Sequence, residues 1–169
     1  MRIGILSDTH NHIENTFWAL ELFRRLGVRR LIHCGDISTP AIVELFEGFH
    51  TTFVFGNQDH HHADMMLAAK KLNSQAMMGY HYTANIDGVR VAACHGDITE
   101  TLDEFIRSGQ YQYVFFGHTH LHSDKVIGNT RLINPGALGG RESEPRSIAV
   151  LELVTGKVEF ITLEDEINE

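Results

Sequence analysis

Five short segments of this chain combine residue types that bind metal ions. They are Asp8-Thr9-His10, Gly35-Asp36, Gly56-Asn57-Gln58-Asp59, Cys94-His95-Gly96-Asp97 and Gly117-His118-Thr119-His120. Imidazole nitrogens suit Zn, Fe, Mn or Ni, and carboxylates add charge and can be shared between ions. Residues i and i+2 of an extended segment lie on one side, so alternation lets His118 and His120 face a common point. Alone, a His-x-His is more simply a surface turn with two solvated rings. The other four segments argue for a metal site, because each follows an apolar run and open α/β sheets bind ligands just beyond strand carboxyl ends. Convergence would assemble Asp8, His10, Asp36, Asn57, His95, His118 and His120, about enough for two divalent ions. Asp36, on a tight loop between the first and third clusters, is the natural carboxylate to bridge them.

The elements that must position these residues can be read from periodicity. Ile3 to Leu6, Leu31 to Cys34, Thr52 to Phe55, Val89 to Ala93 and Val114 to Phe116 are short, apolar and rich in strand formers. After the first, Ile13, Phe17, Leu20, Phe23 and Leu26 recur at helical spacing, with Gly27 placed to stop the helix and Trp18 expected in the core. Ser38-Thr39-Pro40 opens a helix carrying Ile42, Leu45, Phe46 and Phe49. Ala63 to Leu72 has helical composition, with Met65, Ala69 and Leu72 inward. Thr101-Leu102-Asp103-Glu104 fits a capping box, and Leu102, Phe105 and Ile106 give its helix a buried face. Asp87-Gly88, Gly128-Asn129 and Thr155-Gly156 are turn signals for three hairpins, over 80–93, 125–133 and 148–163. The pattern predicts an α/β fold that is β-α in its first half and mostly β in its second.

Length and composition bound the rest. At 169 residues, 43% of them hydrophobic and 21% charged, the chain predicts one globular domain over residues 1–169. A net charge of −8 argues against a broad basic nucleic-acid face, yet leaves room for an anionic substrate at a site whose field is set by metal ions. Cys34 and Cys94 are too few for a disulfide framework and read as buried thiols. The apolar run after Met1 is too short for a signal-peptide core and no stretch approaches transmembrane length, so a cytoplasmic protein without a membrane partner is expected. A homo-oligomer remains compatible with the sequence.

In the order and separation of its five motifs the chain resembles the calcineurin-like metallophosphoesterases, closest to their small single-domain bacterial and archaeal phosphodiesterase branch. The resemblance spans nearly the whole chain and implies a two-sheet β-sandwich flanked by helices, α/β/β/α. It implies that Asp8, His10, Asp36 and His120 hold one ion, while Asp36, Asn57, His95 and His118 hold the other. Asp36, Asn57 and His95 would then take part directly in catalysis. Two divalent ions bring about four positive charges against the two of Asp8 and Asp36, leaving a cationic hole for a phosphate. Water shared by the ions becomes hydroxide near neutral pH and attacks phosphorus in line, without a covalent intermediate on the enzyme. The expected substrate is a small phosphoester, most simply a phosphodiester.

Gln58 departs from the family pattern, where many members place a histidine thought to protonate the leaving group; an amide does not donate that proton usefully. His12, His60, His61 and His62 are possible substitutes but read more simply as solvated loop residues. Asn11 and Gln58 are candidates to touch substrate. Asp59 and Asp97 either orient ligands or only cap the segments that follow. His33 reads as a hydrogen-bonded core residue, and Arg141 and Arg146 as solvated loop cations. Two other functions fit the same fold: a non-catalytic interaction scaffold, disfavoured because no ligand is missing, and a nuclease, disfavoured by the acidic charge.

Overall fold

The chain runs β1 (Arg2–Leu6), α1 (Ile13–Arg25), β2 (Arg30–His33), α2 (Pro40–Glu44), β3 (His50–Val54), α3 (His62–Leu72), β4 (Met77–Gly79), β5 (His81–Ile86), β6 (Val89–Cys94), α4 (Thr99–Ser108), β7 (Tyr113–Phe115), β8 (Ser123–Ile127), β9 (Thr130–Asn134), β10 (Ser147–Glu152) and β11 (Val158–Thr162). This computed structural model describes residues 1–72, 76–141 and 143–163. The strands form two mixed sheets, ordered β11-β10-β1-β2-β3-β4 and β5-β6-β7-β9-β8. In the first, β1 to β4 are parallel, β10 joins β1 antiparallel and β11 joins β10 antiparallel. In the second, β6, β7 and β9 are parallel, with β5 and β8 antiparallel at the edges.

Strand alternation divides the apolar side chains into layers. Ile3, Ile5, Ile32 and Val54 point between the sheets to meet Val91, Ala93, Phe115 and Ile133. Leu6, Leu31 and Phe53 point outward into the helix layer with Leu20, Phe23, Ile42, Phe46 and Met65. On the far side, Leu102, Phe105 and Ile106 of α4 pack over Ala92, Val114 and Leu132. The result is the expected α/β/β/α arrangement. Gly4 is required for it: a Cβ there would stand 2.5 Å from the Phe23 ring, so the absent side chain lets α1 lie down on the sheet.

Several local expectations are corrected. In α1 the buried stripe is Thr16, Ala19, Leu20 and Phe23, while Ile13 and Phe17 are 50% and 55% exposed. Apolar residues on the flank of the stripe satisfied the same spacing, and Trp18 is only partly buried. The capping box does not form. Ile98 is the N-cap of α4 and Thr101 already lies in its first turn, donating its amide to the Ile98 carbonyl at 3.2 Å. The helix after Pro40 ends at Glu44, and Phe46 and Phe49 reach the core from the turns that follow. β4, a three-residue strand beside β3, carries too little periodicity to be read in advance. Asp87 and Gly88 do form their hairpin turn, with φ of 50° and 85°.

Candidate metal centre

The loops leaving β1, β2, β3, β6 and β7 meet at one end of the two sheets. On one side, His10 Nε2 and His120 Nε2 face each other at 3.1 Å. Asp8 Oδ1 stands 3.8 Å from the first and 3.4 Å from the second. On the other, His95 Nε2 lies 3.4 Å from Asp36 Oδ2 and 3.2 Å from Asn57 Oδ1, and the His118 ring is 5.1 Å from that of His95. Asp36 Oδ2 is also 3.9 Å from His10 Nε2. Thus Asp36 faces both sides, while Asp8 belongs to both compact groupings, Asp8-His10-His120 and Asp8-Asp36-His95.

The donor set fits divalent cations. Asp8 is fully buried, and its Oδ2 accepts the His118 amide at 3.0 Å while its Oδ1 has no hydrogen-bond partner. A buried carboxylate oxygen left so is costly. His95 Nδ1 donates to the Cys34 carbonyl at 2.7 Å, which turns Nε2 toward the Asp36 and Asn57 oxygens. Carboxylate oxygens and imidazole nitrogens aimed at one point are satisfied by protons on the rings or by a cation that replaces them.

Buried groups outside the ligands set the loops. Asp59 accepts four backbone N–H groups, from Asp36, Ile37, Ser38 and Gly56, at 2.7–3.1 Å. Of its two readings, orienting the ligand loop is therefore the right one. Burial pushes its carboxyl above the ordinary value, opposed by the amide donors of Gly56, Ser38 and Ile37. His33 accepts the Gly35 amide at Nδ1 (3.2 Å), which leaves Nε2–H to donate to Thr9 Oγ1 (3.1 Å). Burial lowers that ring to about 3, keeping it neutral as a tie between the first two loops. Gly56 is needed for close approach, because a Cβ would meet Asp36 Oδ1 at 2.1 Å.

The backbone here is bent away from its usual range. Asp8, His10, Asn11, Asp36, Ser38, His118 and His120 have φ between 43° and 79°, and Asp87 is the only other such non-glycine among the described residues. Left-handed geometry costs roughly 1–2 kcal/mol per residue, although Asp, Asn and His tolerate it best. Strain concentrated in this way marks a functional site. It also corrects the alternation argument for His118 and His120. β7 ends at Phe115, both histidines are left-handed, and they join opposite sides of the centre.

The charges are coupled in the metal-free chain. Burial would lower the His95 imidazole, but Asp36, Asp8 and the Cys34 carbonyl push it up to about 9. The Asp8 and Glu144 carboxylates raise His120 to about 9 against the effect of burial. Burial raises Asp36, but the His95 bond and charge and the Gln58 amide outweigh it and hold the carboxyl below its ordinary value.

Two residues escaped the sequence reading. Glu144 Oε2 sits 2.8 Å from His120 Nδ1, and buried Asn134 donates to the Gly117 carbonyl and Thr119 Oγ1 at 2.7 and 3.0 Å. Neither lies in a motif, and only a hydrogen-bond accounting of the His118–His120 loop would have found them.

A family model described as the calcineurin-like phosphoesterase superfamily domain matches residues 1–156. The chain belongs to that superfamily. It is 30% identical to a phosphodiesterase of Methanocaldococcus jannaschii over 166 residues, covering 97% of this chain and 100% of the relative. A solved archaeal phosphodiesterase superposes with a TM-score of 0.91 at 30% identity, covering 96% of this chain and 100% of its own. A Vps29 of Entamoeba histolytica solved with zinc shares the fold, with a TM-score of 0.65, 17% identity and coverage of 96% and 98%.

In this calcineurin-like phosphoesterase the remaining candidates fall at the rim. Asn11 Oδ1 accepts the Thr39 hydroxyl at 2.6 Å, and the Gln58 side chain is exposed. His12, His60 and His61 are exposed, whereas the His62 ring packs 4.2 Å from that of Phe55 and bonds Tyr80 Oη at 3.2 Å. Arg146 is not simply solvated: it donates to the Arg141 and Glu144 carbonyls and braces the Glu144 loop. Cys34 and Cys94 are buried free thiols. No helix among the described residues is long and apolar enough to cross a membrane.

Proposed function

We propose that this protein is a dinuclear metal-dependent phosphodiesterase acting on small phosphodiesters. The observation that carries it is the unpartnered Asp8 Oδ1 buried among His10, His120 and the Asp36–His95 pair. Asp8, His10, Asp36 and His120 would hold one ion, and Asp36, Asn57, His95 and His118 the other. Held there, the ions would supply Lewis acidity to the phosphoryl oxygens and would lower the pKa of water into the neutral range. The chain's own part is positional. Asp59 fixes the Asp36 loop through four amides, the Cys34 carbonyl fixes the His95 tautomer, and Glu144 and Asn134 fix the His118–His120 loop. Asn11 and Gln58 stand at the rim where a substrate enters. The 1–169 chain acts as one cytoplasmic domain, with Mn, Ni, Zn or Fe as the candidate ions.

Gln58 sets the substrate preference. An aryl leaving group departs as a phenolate of conjugate-acid pKa about 10, whereas an alkoxide is far more basic and needs a proton donor. General-acid help is worth roughly 10²–10⁴-fold, so aryl diesters should turn over well and alkyl monoesters slowly. The test is a panel of aryl and alkyl phosphomonoesters, phosphodiesters and cyclic nucleotides, offered to metal-stripped protein reloaded separately with Mn, Ni, Zn and Fe. Aryl diesters should lead under at least one metal. Hydrolysis of none, by folded and reloaded protein, would favour the scaffold reading.

A further inference from the structure

The acidic aromatic cavity beside α4 stands apart from the metal centre. It measures about 380 Å³ and is lined by His81, Thr101, Glu104, Phe105, Ser108, Gln110 and Tyr111. Three of these are aromatic rings set as walls. Phe105 and Tyr111 stand at 77° with centroids 5.3 Å apart, and His81 and Phe105 at 67° and 6.2 Å. Phe105 is anchored from behind on Ala92, Val114 and Leu132. Ser108 and Gln110 are tied to the helix end, Ser108 Oγ donating to the Phe105 carbonyl at 2.8 Å and accepting the Gln110 amide at 3.3 Å. Tyr111 is held through its carbonyl, which accepts the Thr130 hydroxyl at 2.8 Å. The walls are therefore preformed.

Glu104 is the one carboxylate that lines the cavity. The Glu104 carboxylate has no hydrogen bond or ion pair among the described residues, and no lysine or arginine lines the space. Nearly perpendicular aromatic faces with a free carboxylate at the edge recognise an alkylammonium group, because the ring faces are electron-rich and alkyl carbons on nitrogen prefer an apolar wall to water. A phosphate or carboxylate would meet Glu104 with no lysine or arginine to neutralise it, and a purely apolar ligand would make no use of the carboxylate. We propose that the cavity between α4 and β5 is a binding site for a small alkylammonium cation, with Phe105, Tyr111 and His81 as its walls and Glu104 as its counter-charge.

The probes are choline and its uncharged isostere 3,3-dimethyl-1-butanol, titrated separately at constant ionic strength into the full-length protein and followed by backbone amide chemical shifts. Choline should saturate a site reported by residues 101–111 and bind at least about tenfold tighter than the alcohol, the ratio that charge recognition by rings and carboxylate implies. Glu104→Gln, an exposed change away from the core, should weaken choline about three- to tenfold and leave the alcohol unchanged. Tyr111→Leu should erase the preference for the charged probe. Equal affinity for the two probes, or no saturable choline binding at concentrations on the order of 100 mM, would overturn the proposal.

Discussion

Glu144 Oε2 lies 2.8 Å from Nδ1 of His120, and that bond decides which nitrogen of the ring is free for the centre. With Nδ1 committed to the carboxylate, Nε2 is the atom turned to Asp8 and His10. The Arg141 amide donates to the same carboxylate oxygen at 2.9 Å, so the oxygen is itself held in place.

Glu144→Gln should therefore weaken metal binding without removing a ligand. Loss of a partner that orients a ligating histidine typically costs about 10–100-fold in affinity or activity. Metal titration of the stripped variant should show one weakened ion and one near normal. Unchanged affinity for both would mean that the His120 ring is set by other contacts.

Asp59 should matter to folding as well as to the centre, because its carboxylate holds four backbone amides. An asparagine presents one acceptor oxygen and one NH₂ to four amide donors, so Asp59→Asn leaves buried N–H groups unpaired. The expected loss is about 2–4 kcal/mol in urea unfolding of the metal-free protein. A midpoint shift within error, at unchanged slope, would show that the Asp36 loop does not depend on it.

Metal binding should release protons. His95 and His120 are raised to about 9 in the metal-free chain, above the ordinary 6.5 of an unfolded histidine. Stability gained by protonating them is complete below pH 6.5 and is lost as pH rises through about 9. Ligation requires the same Nε2 lone pairs, so metal affinity should rise with pH up to about 9 and level off above it. Calorimetry at pH 7 in buffers of different ionisation heat should report roughly two protons released per chain. Release of none would mean that neither ring is charged before the metal arrives.

Much of this was legible because strand ends and candidate ligands share one signal: an apolar run stopping at Asp, Asn or His. Five such stops located the loops, and the apolar runs before them located β1, β2, β3, β6 and β7. Other features have no local signature. Glu144 acts across 24 positions, Asn134 closes a strand, and β4 is three residues long. The left-handed turns at His118 and His120 broke an alternation rule that assumes extended backbone. In α1, apolar Ile13 and Phe17 obeyed the helical spacing although packing selected the neighbouring stripe.

The most direct test titrates Mn into metal-stripped protein while bound ions and hydrolysis of an aryl phosphodiester are followed in the same sample. Activity should stay low through the first equivalent and rise as the second ion binds, reaching its plateau at two ions per chain. Asp36→Asn should damage both binding events, because the carboxylate faces both sides of the centre. Full activity at one ion per chain, with no second site at high metal, would contradict the dinuclear account.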